Sequence, residues 1–169
     1  MTEQEFTDVF SEHKDQVFRF AWRLTGSATA AEDITQDCFL TLWRTPSRYD
    51  ARRGPLRSFL LGVARNLVLK RWRAEGRLVP IEDDDMVAEQ PVDHVAGAEV
   101  GATVAHAIAA LPSPQREVLI LAEYEELRLE EIAGIVGVEV TAVKARLHRA
   151  RTNLRRMLSE LRDYARTTK

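Results

Sequence analysis

Leu129-Glu-Glu-Ile-Ala-Gly-Ile-Val-Gly-Val138 reads as a short helix closed by glycine, and Val140-Thr-Ala-Val-Lys-Ala-Arg-Leu-His-Arg-Ala-Arg-Thr-Asn-Leu154 follows it at once. In the second stretch Val140, Val143, Leu147, Ala150, Leu154 and Met157 step by three and four, so they form one stripe of a helix. The remaining faces carry Lys144, Arg146, His148, Arg149, Arg151, Arg155 and Arg156. A short helix, a tight turn and a basic amphipathic helix make the helix-turn-helix pattern, whose second helix enters a DNA major groove. Thr141, Lys144, Ala145, His148, Arg149 and Thr152 fall opposite the stripe, where they meet base edges and phosphates. Lys144 and Arg149 can donate to guanine acceptors, and Arg146, Arg151, Arg155 and Arg156 suit phosphate or solvent. A solvated basic helix on a bundle has the same composition. The Glu131-Ile-Ala-x-x-x-Gly frame upstream favours the groove-binding reading.

The net charge of −2 looks wrong for a DNA binder until it is divided along the chain. Residues 1–50 carry −4, residues 51–79 carry +7, residues 80–111 carry −7, residues 112–143 carry −5 and residues 144–169 carry +7. Phosphate responds to local potential, because screening acts over about 8–10 Å. Two separate nucleic-acid contacts are therefore compatible with a nearly neutral chain of 169 residues.

Working back from the helix-turn-helix, the pattern is helical throughout. Residues 3–24 place Phe6, Val9, Phe10, Val17, Phe18, Ala21 and Leu24 on one face, with Gly26 as a stop. Ser27 can cap a helix to about Arg44, lined by Ala31, Ile34, Cys38 and Leu42. Thr45 to Pro55 reads as a loop. The next helix runs from about Leu56 to Ala74, with Leu60, Val63, Ala64, Leu67 and Lys70 at helical spacing. Gly76 to about Ala98 is acidic, with Pro80 and Pro91, and reads as a linker that does not fold alone. A further helix starts near Val100 and ends by Leu111; Ser113 caps the next, with Pro114 at its first position, and this runs from Gln115 to about Tyr124. The expected fold is all-α: two small helical domains, 1–75 and 100–169, joined by an acidic flexible linker at 76–99, the C-terminal domain being the helix-turn-helix.

A second basic surface gathers around the 56–74 helix and its loop. Arg52, Arg53, Arg57, Arg65, Lys70, Arg71 and Arg73 surround Tyr49, Phe59 and Trp72. Cations that track a backbone beside rings that stack on bases suit single-stranded DNA. Equally, Phe59 and Trp72 can be core residues beneath solvated arginines. Catalysis finds no support: His13, His94, His106 and His148 are scattered without metal-ligand spacing, and no glycine-rich phosphate loop occurs. Cys38 sits on an apolar stripe and reads as a core thiol. We expect no enzyme activity, no catalytic residues, no metal and no cofactor. No run approaches about 18 apolar residues, so no membrane insertion is expected. The acidic N-terminus lacks a signal-peptide layout, and the single cysteine fits a cytoplasmic protein.

Four stretches then stand in order: Ala31-Glu-Asp-Ile-Thr-Gln-Asp-Cys-Phe-Leu-Thr-Leu-Trp43, Gly54-Pro-Leu-Arg-Ser-Phe-Leu-Leu-Gly-Val-Ala-Arg-Asn66, Leu111-Pro-x-x-Gln-Arg-Glu-Val-Leu119, and Glu131-Ile-Ala-x-x-x-Gly-Val-x-x-x-x-Val-Lys-x-Arg-Leu-His-Arg-Ala-Arg151. Together they make the chain resemble the extracytoplasmic-function (ECF) group of bacterial sigma factors. The resemblance covers nearly everything except the linker and the ends. It implies a partner, core RNA polymerase (β′ clamp helices and β flap), together with promoter DNA and an anti-sigma factor. Asp33, Gln36, Asp37, Leu40 and Trp43 match the segment that docks on the clamp helices. Tyr49, Arg52, Arg53, Arg57, Arg65, Asn66, Lys70, Arg71, Trp72 and Arg73 match the part that opens the −10 element and holds a flipped base. Thr141, Lys144, Ala145, Arg146, His148, Arg149 and Arg151 match the −35 reader. Ala145 replaces a common serine, Glu139 stands where a small capping residue is usual, and Lys70 replaces a frequent aspartate; these departures bear on the promoter sequence read. The competing reading is a helix-turn-helix regulator that acts without polymerase docking. It would normally dimerise on two half-sites.

Overall fold

The computed structural model describes residues 1–77 and 100–167, which fall into two units. Nearly all of the expected linker, with His94, lies outside the described residues. Every regular element among the described residues is helical.

The first unit is a bundle of three helices, each packed on the other two. Helix α1 spans Glu3–Thr25. The Thr2 hydroxyl accepts from Glu5 N–H at 3.1 Å and the Glu5 carboxylate accepts from Thr2 N–H at 2.6 Å, a reciprocal cap that fills two orphan donors. Helix α2 spans Ala28–Arg44, and the Ser27 hydroxyl accepts from Ala30 N–H at 3.2 Å. Residues 45–55 contain two short 3-10 turns, Pro46–Arg48 and Ala51–Arg53, where the sequence suggested plain loop. Gly54, at φ 146° and ψ 175°, leads into α3, Leu56–Ala74. That backbone region is essentially closed to other residues.

The core of this unit is Val17, Phe20, Ala21 and Leu24 of α1, Ile34, Cys38, Phe39 and Leu42 of α2, and Leu60, Leu61, Ala64, Val68 and Trp72 of α3. On α3 the expected stripe is corrected. Leu60 and Ala64 are buried, but Val63 and Leu67 are half-buried and Lys70 is exposed. The helix is apolar on two flanks, and packing against α1 and α2 selects the flank containing Leu61, Val68 and Trp72. On α1, Phe18 is half-buried and Phe20 takes the central place.

Cys38 is fully buried, and its thiol donates to the Leu60 carbonyl at 3.4 Å. Burial pushes this thiol up from 9.0 to about 12. Between those values the folded chain keeps a proton that the unfolded chain releases, so stability falls as pH rises above about 9. In chemical denaturation at pH 8 and pH 10, Cys38→Ala is expected to show a shallower loss, by up to ~1.4 kcal/mol per pH unit. Equal slopes in the two proteins would argue against a buried neutral thiol.

The second unit is built on one long helix. Helices α4 (Val100–Ala110), α5 (Ser113–Leu119) and α6 (Leu129–Val136) pack on α7 (Val140–Thr167). Ser113 does not cap α5: Pro112 takes that place, its carbonyl accepting from Gln115 and Arg116 N–H at 3.0 and 2.9 Å. The helix continues past Leu119 as a wider π turn, Ile120–Tyr124. Gly137, at φ 74°, closes α6 with its N–H on the Ala133 carbonyl at 2.9 Å. This left-handed cap is where glycine is needed, and it lets α7 start three residues later. Helix α7 runs well beyond Leu154, since neither glycine nor proline interrupts residues 140–167.

The core here is Ala107, Ile108, Leu111, Val118, Leu119, Ile120, Leu121, Leu127, Ile132, Val136, Val143, Leu147 and Ala150. Gln115, Arg116, Glu117 and Glu125 are buried with it. Arg116 Nη2 donates to the Ala109 and Leu111 carbonyls at 2.5 and 2.9 Å, so it supplies partners at the C-terminal end of α4.

Candidate polymerase and nucleic-acid interfaces

In the first unit the outer face of α2 is built by default. Burial of Ala31, Ile34, Cys38 and Leu42 turns Asp33, Gln36, Asp37, Leu40 and Trp43 outward, and all five are exposed. Leu40 and Trp43 are each 42% exposed, a high value for such apolar side chains. Trp43 is not loose: its ring lies 4.9 Å from Phe6 at 63°. Phe10 meets Phe39 at 4.9 Å and 75°, continuing an aromatic cluster between α1 and α2. Edge-on rings at such spacing hold one another in place.

The basic surface of this unit draws on the 45–55 segment and α3. Tyr49 is half-buried, 5.5 Å from Phe59, and its hydroxyl donates to the Gly54 carbonyl at 3.4 Å. Arg52 and Arg53 are exposed on the second 3-10 turn. Asp50 caps that turn by accepting from Arg52 N–H at 3.0 Å, and accepts from Arg52 Nε and Nη2 at 3.0 Å each. The Arg52 guanidinium holds the Asp50 carboxyl below the usual carboxylate range. On α3, Asn66, Lys70 and Arg73 are exposed while Arg57, Arg65 and Arg71 are half-buried. Trp72 is corrected: it is 3% exposed, one and two turns after Val68 and Ala64 on the buried stripe, so its ring is core and cannot stack on a base.

In the second unit the buried stripe Val143, Leu147, Ala150 docks α7 and leaves its opposite side in solvent. Thr141, Lys144 and His148 are exposed there; Ala145 and Arg149 are half-buried, as is Arg146. Glu139 sits at the N-cap, its carbonyl accepting from Ala142 and Val143 N–H at 3.0 and 3.1 Å. Arg151 flanks the stripe and donates from Nε to Glu123 at 2.9 Å, which ties α7 to the π turn. Arg151 and Glu123 border a shallow groove of about 390 Å³ floored by Val104, Ile108, Leu119 and Leu154. Asn153 adds a second tie, donating to Gln115 Oε1 at 2.8 Å. Among the described residues no group of His, Cys, Asp and Glu is arranged to hold a metal, and no helix is long and apolar enough to cross a membrane.

The sequence reading overlooked the acids that hold candidate cations. Asp50 lies two residues before Arg52 and Glu75 four after Arg71, spacings visible in the sequence. The Glu123–Arg151 pair spans 28 residues and only the fold reveals it.

Residues 9–78 match the family Sigma-70 region 2, and residues 102–154 match Sigma-70, region 4. The chain is 32% identical to the ECF RNA polymerase sigma factor SigE of Mycolicibacterium smegmatis over 90% of its own length, and spans 61% of that relative. It is 33% identical to the ECF RNA polymerase sigma factor SigL of Mycobacterium tuberculosis, over 90% of this chain and 88% of that one. In structure it is similar to the sigma factor RpoE of Bartonella quintana, solved in complex with the anti-sigma factor NepR. The TM-score is 0.74 at 25% identity, over 92% of this chain and 98% of the other. Two compact helical units, one matching each family region in the right order, fit that likeness over nearly the whole chain: it belongs to the ECF group of RNA polymerase sigma factors.

Proposed function

We propose that this chain binds core RNA polymerase and directs initiation at specific promoters, reading the −35 element with residues 100–169 and opening the −10 element with residues 1–75. The observation that carries the reading is α7: its apolar stripe is buried, so Thr141, Lys144 and His148 are left on the outer side of a docked helix-turn-helix. Lys144, Ala145, His148 and Arg149 face base edges, while Arg146 meets phosphate. Arg151 serves first to fix α7 through Glu123. In the first unit Asp33, Gln36, Asp37, Leu40 and Trp43 contact the polymerase clamp. Tyr49, Arg52, Arg53, Arg57, Arg65, Asn66, Lys70, Arg71 and Arg73 take the −10 strand. The chain works in the cytoplasm, catalyses nothing itself and is held in check by an anti-sigma protein.

Reconstitution with bacterial core polymerase, followed by mapping of transcript 5′ ends on a genomic template, tests this. Initiation at defined start sites is the expected result. Lys144→Ala is expected to weaken −35-dependent initiation by ~1–3 kcal/mol for one lost base contact. Undiminished initiation by Lys144→Ala and Arg149→Ala would overturn the groove assignment. A stable homodimer that binds duplex DNA strongly without polymerase, and yields no transcript with it, would favour the polymerase-independent regulator.

A further inference from the structure

Arg71 stands between the two candidate surfaces of the first unit. Its Nη1 lies 3.6 Å from Asp33 Oδ2 on α2, and its Nε lies 3.1 Å from Glu75 Oε1 just past α3. The other Glu75 oxygen is 3.3 Å from Arg77 Nη1. Glu75 is the one acid in residues 51–79, against eight bases, and it sits on this arginine. The side chains of Arg71, Asp33 and Glu75 are 38%, 59% and 39% exposed, so water competes for both pairs. Such pairs hold a side chain without locking it.

We infer that Asp33 and Glu75 are positioning residues that keep the Arg71 guanidinium off DNA in the free protein, and that polymerase binding at Asp33 releases it to the promoter strand. The inference rests on the proposed polymerase and −10 assignments. A cation on the clamp that takes the Asp33 carboxylate removes one of the two anions on Arg71. Glu75, which is 39% exposed, is then the one carboxylate on Arg71 that a phosphate has to displace. The linkage is reciprocal: DNA that draws Arg71 away leaves Asp33 free for polymerase, so each partner strengthens the binding of the other. One side chain thereby couples two surfaces with no change of fold.

The test uses the full-length chain and a fluorescein-labelled single strand of 20 mixed nucleotides, followed by anisotropy at low salt. Asp33→Asn and, with Arg77→Ala in place, Glu75→Gln are each expected to tighten binding about two- to fivefold, and the gain is expected to shrink to that of a plain charge removal when Arg71→Ala is added. Glu32→Gln, which removes the same charge from an exposed α2 position outside these pairs, controls for net charge. Its smaller gain is expected to survive Arg71→Ala. With saturating core polymerase, Asp33→Asn is expected to give no gain, because the carboxylate is already engaged. Gains by Asp33→Asn and Glu75→Gln that stay above the Glu32→Gln gain in the Arg71→Ala background would overturn the inference, as would an Asp33→Asn gain that persists in the holoenzyme. The proposed function is tested separately, by whether a holoenzyme that initiates at defined start sites forms.

Discussion

Replacing Trp72 by alanine is expected to cost the first unit about 3–5 kcal/mol, the loss usual for a buried aromatic. Its indole is 3% exposed and sits with Leu60, Leu61, Ala64 and Val68 on the buried flank of α3. Typical domains hold only ~5–15 kcal/mol in total, so the variant should be close to unfolded at 37 °C. Trp72→Phe keeps most of the apolar volume and should retain the fold with a smaller loss. That pair of variants separates two roles for the side chain. A core residue predicts that DNA binding follows the folded fraction, so Trp72→Phe binds single-stranded DNA as the wild type does. A stacking residue predicts a stable alanine variant with weakened DNA binding. Thermal melts beside anisotropy titrations decide it. A Trp72→Ala protein that melts at the wild-type temperature would show the burial to be unimportant.

The same tryptophan marks where the sequence was legible and where it was not. Caps and stops are local, so Gly26, Ser27 and Gly137 announced the ends of α1, α2 and α6 without knowledge of the fold. The α7 stripe was equally plain, because bases fill its other faces and only one flank can be buried. Helix α3 differs: Leu60, Leu61, Val63, Leu67, Val68 and Leu69 place apolar groups on two flanks, and periodicity alone cannot choose between them. The choice belongs to α1 and α2, whose Phe20 and Phe39 occupy the core against it. The basic candidates were found by type and spacing, and Asp33, Gln36, Asp37, Leu40, Trp43 and Asn66 through the family resemblance, but in neither case were the partners found. The ties of Arg71 to Asp33 and of Arg151 to Glu123 bridge 38 and 28 residues of sequence. Such pairs follow from how helices pack, which no local pattern encodes. The consequence for function is specific: Arg71 and Arg151, like Arg52 on Asp50, are suited to phosphate contact but already engaged within the chain.

Trp43→Ala is expected to weaken binding to core polymerase by about 2–4 kcal/mol, the range of an interface hot spot. The face around it has the required anatomy. Leu40 and Trp43 form an apolar centre, each 42% exposed, and Asp33, Gln36 and Asp37 give it a polar surround on the same helix. A docking partner that covers this centre excludes water from a large aromatic surface, whereas the carboxylates and the amide set orientation. The ring is also preorganised, since Phe6 meets it edge-on at 4.9 Å and fixes its place before any partner arrives. That contact makes part of the loss structural, but an exposed aromatic pair contributes only ~0.5–1.5 kcal/mol. Affinity and stability should therefore separate. Competition binding to core polymerase should report the larger deficit, and denaturation of the free chain the smaller one. Phe6→Leu leaves Trp43 in place but unbraced, so it should fall between wild type and Trp43→Ala in affinity. If the Trp43→Ala affinity loss merely equalled its stability loss, Trp43 would be a fold residue and the polymerase contact would have to lie on another face of the bundle.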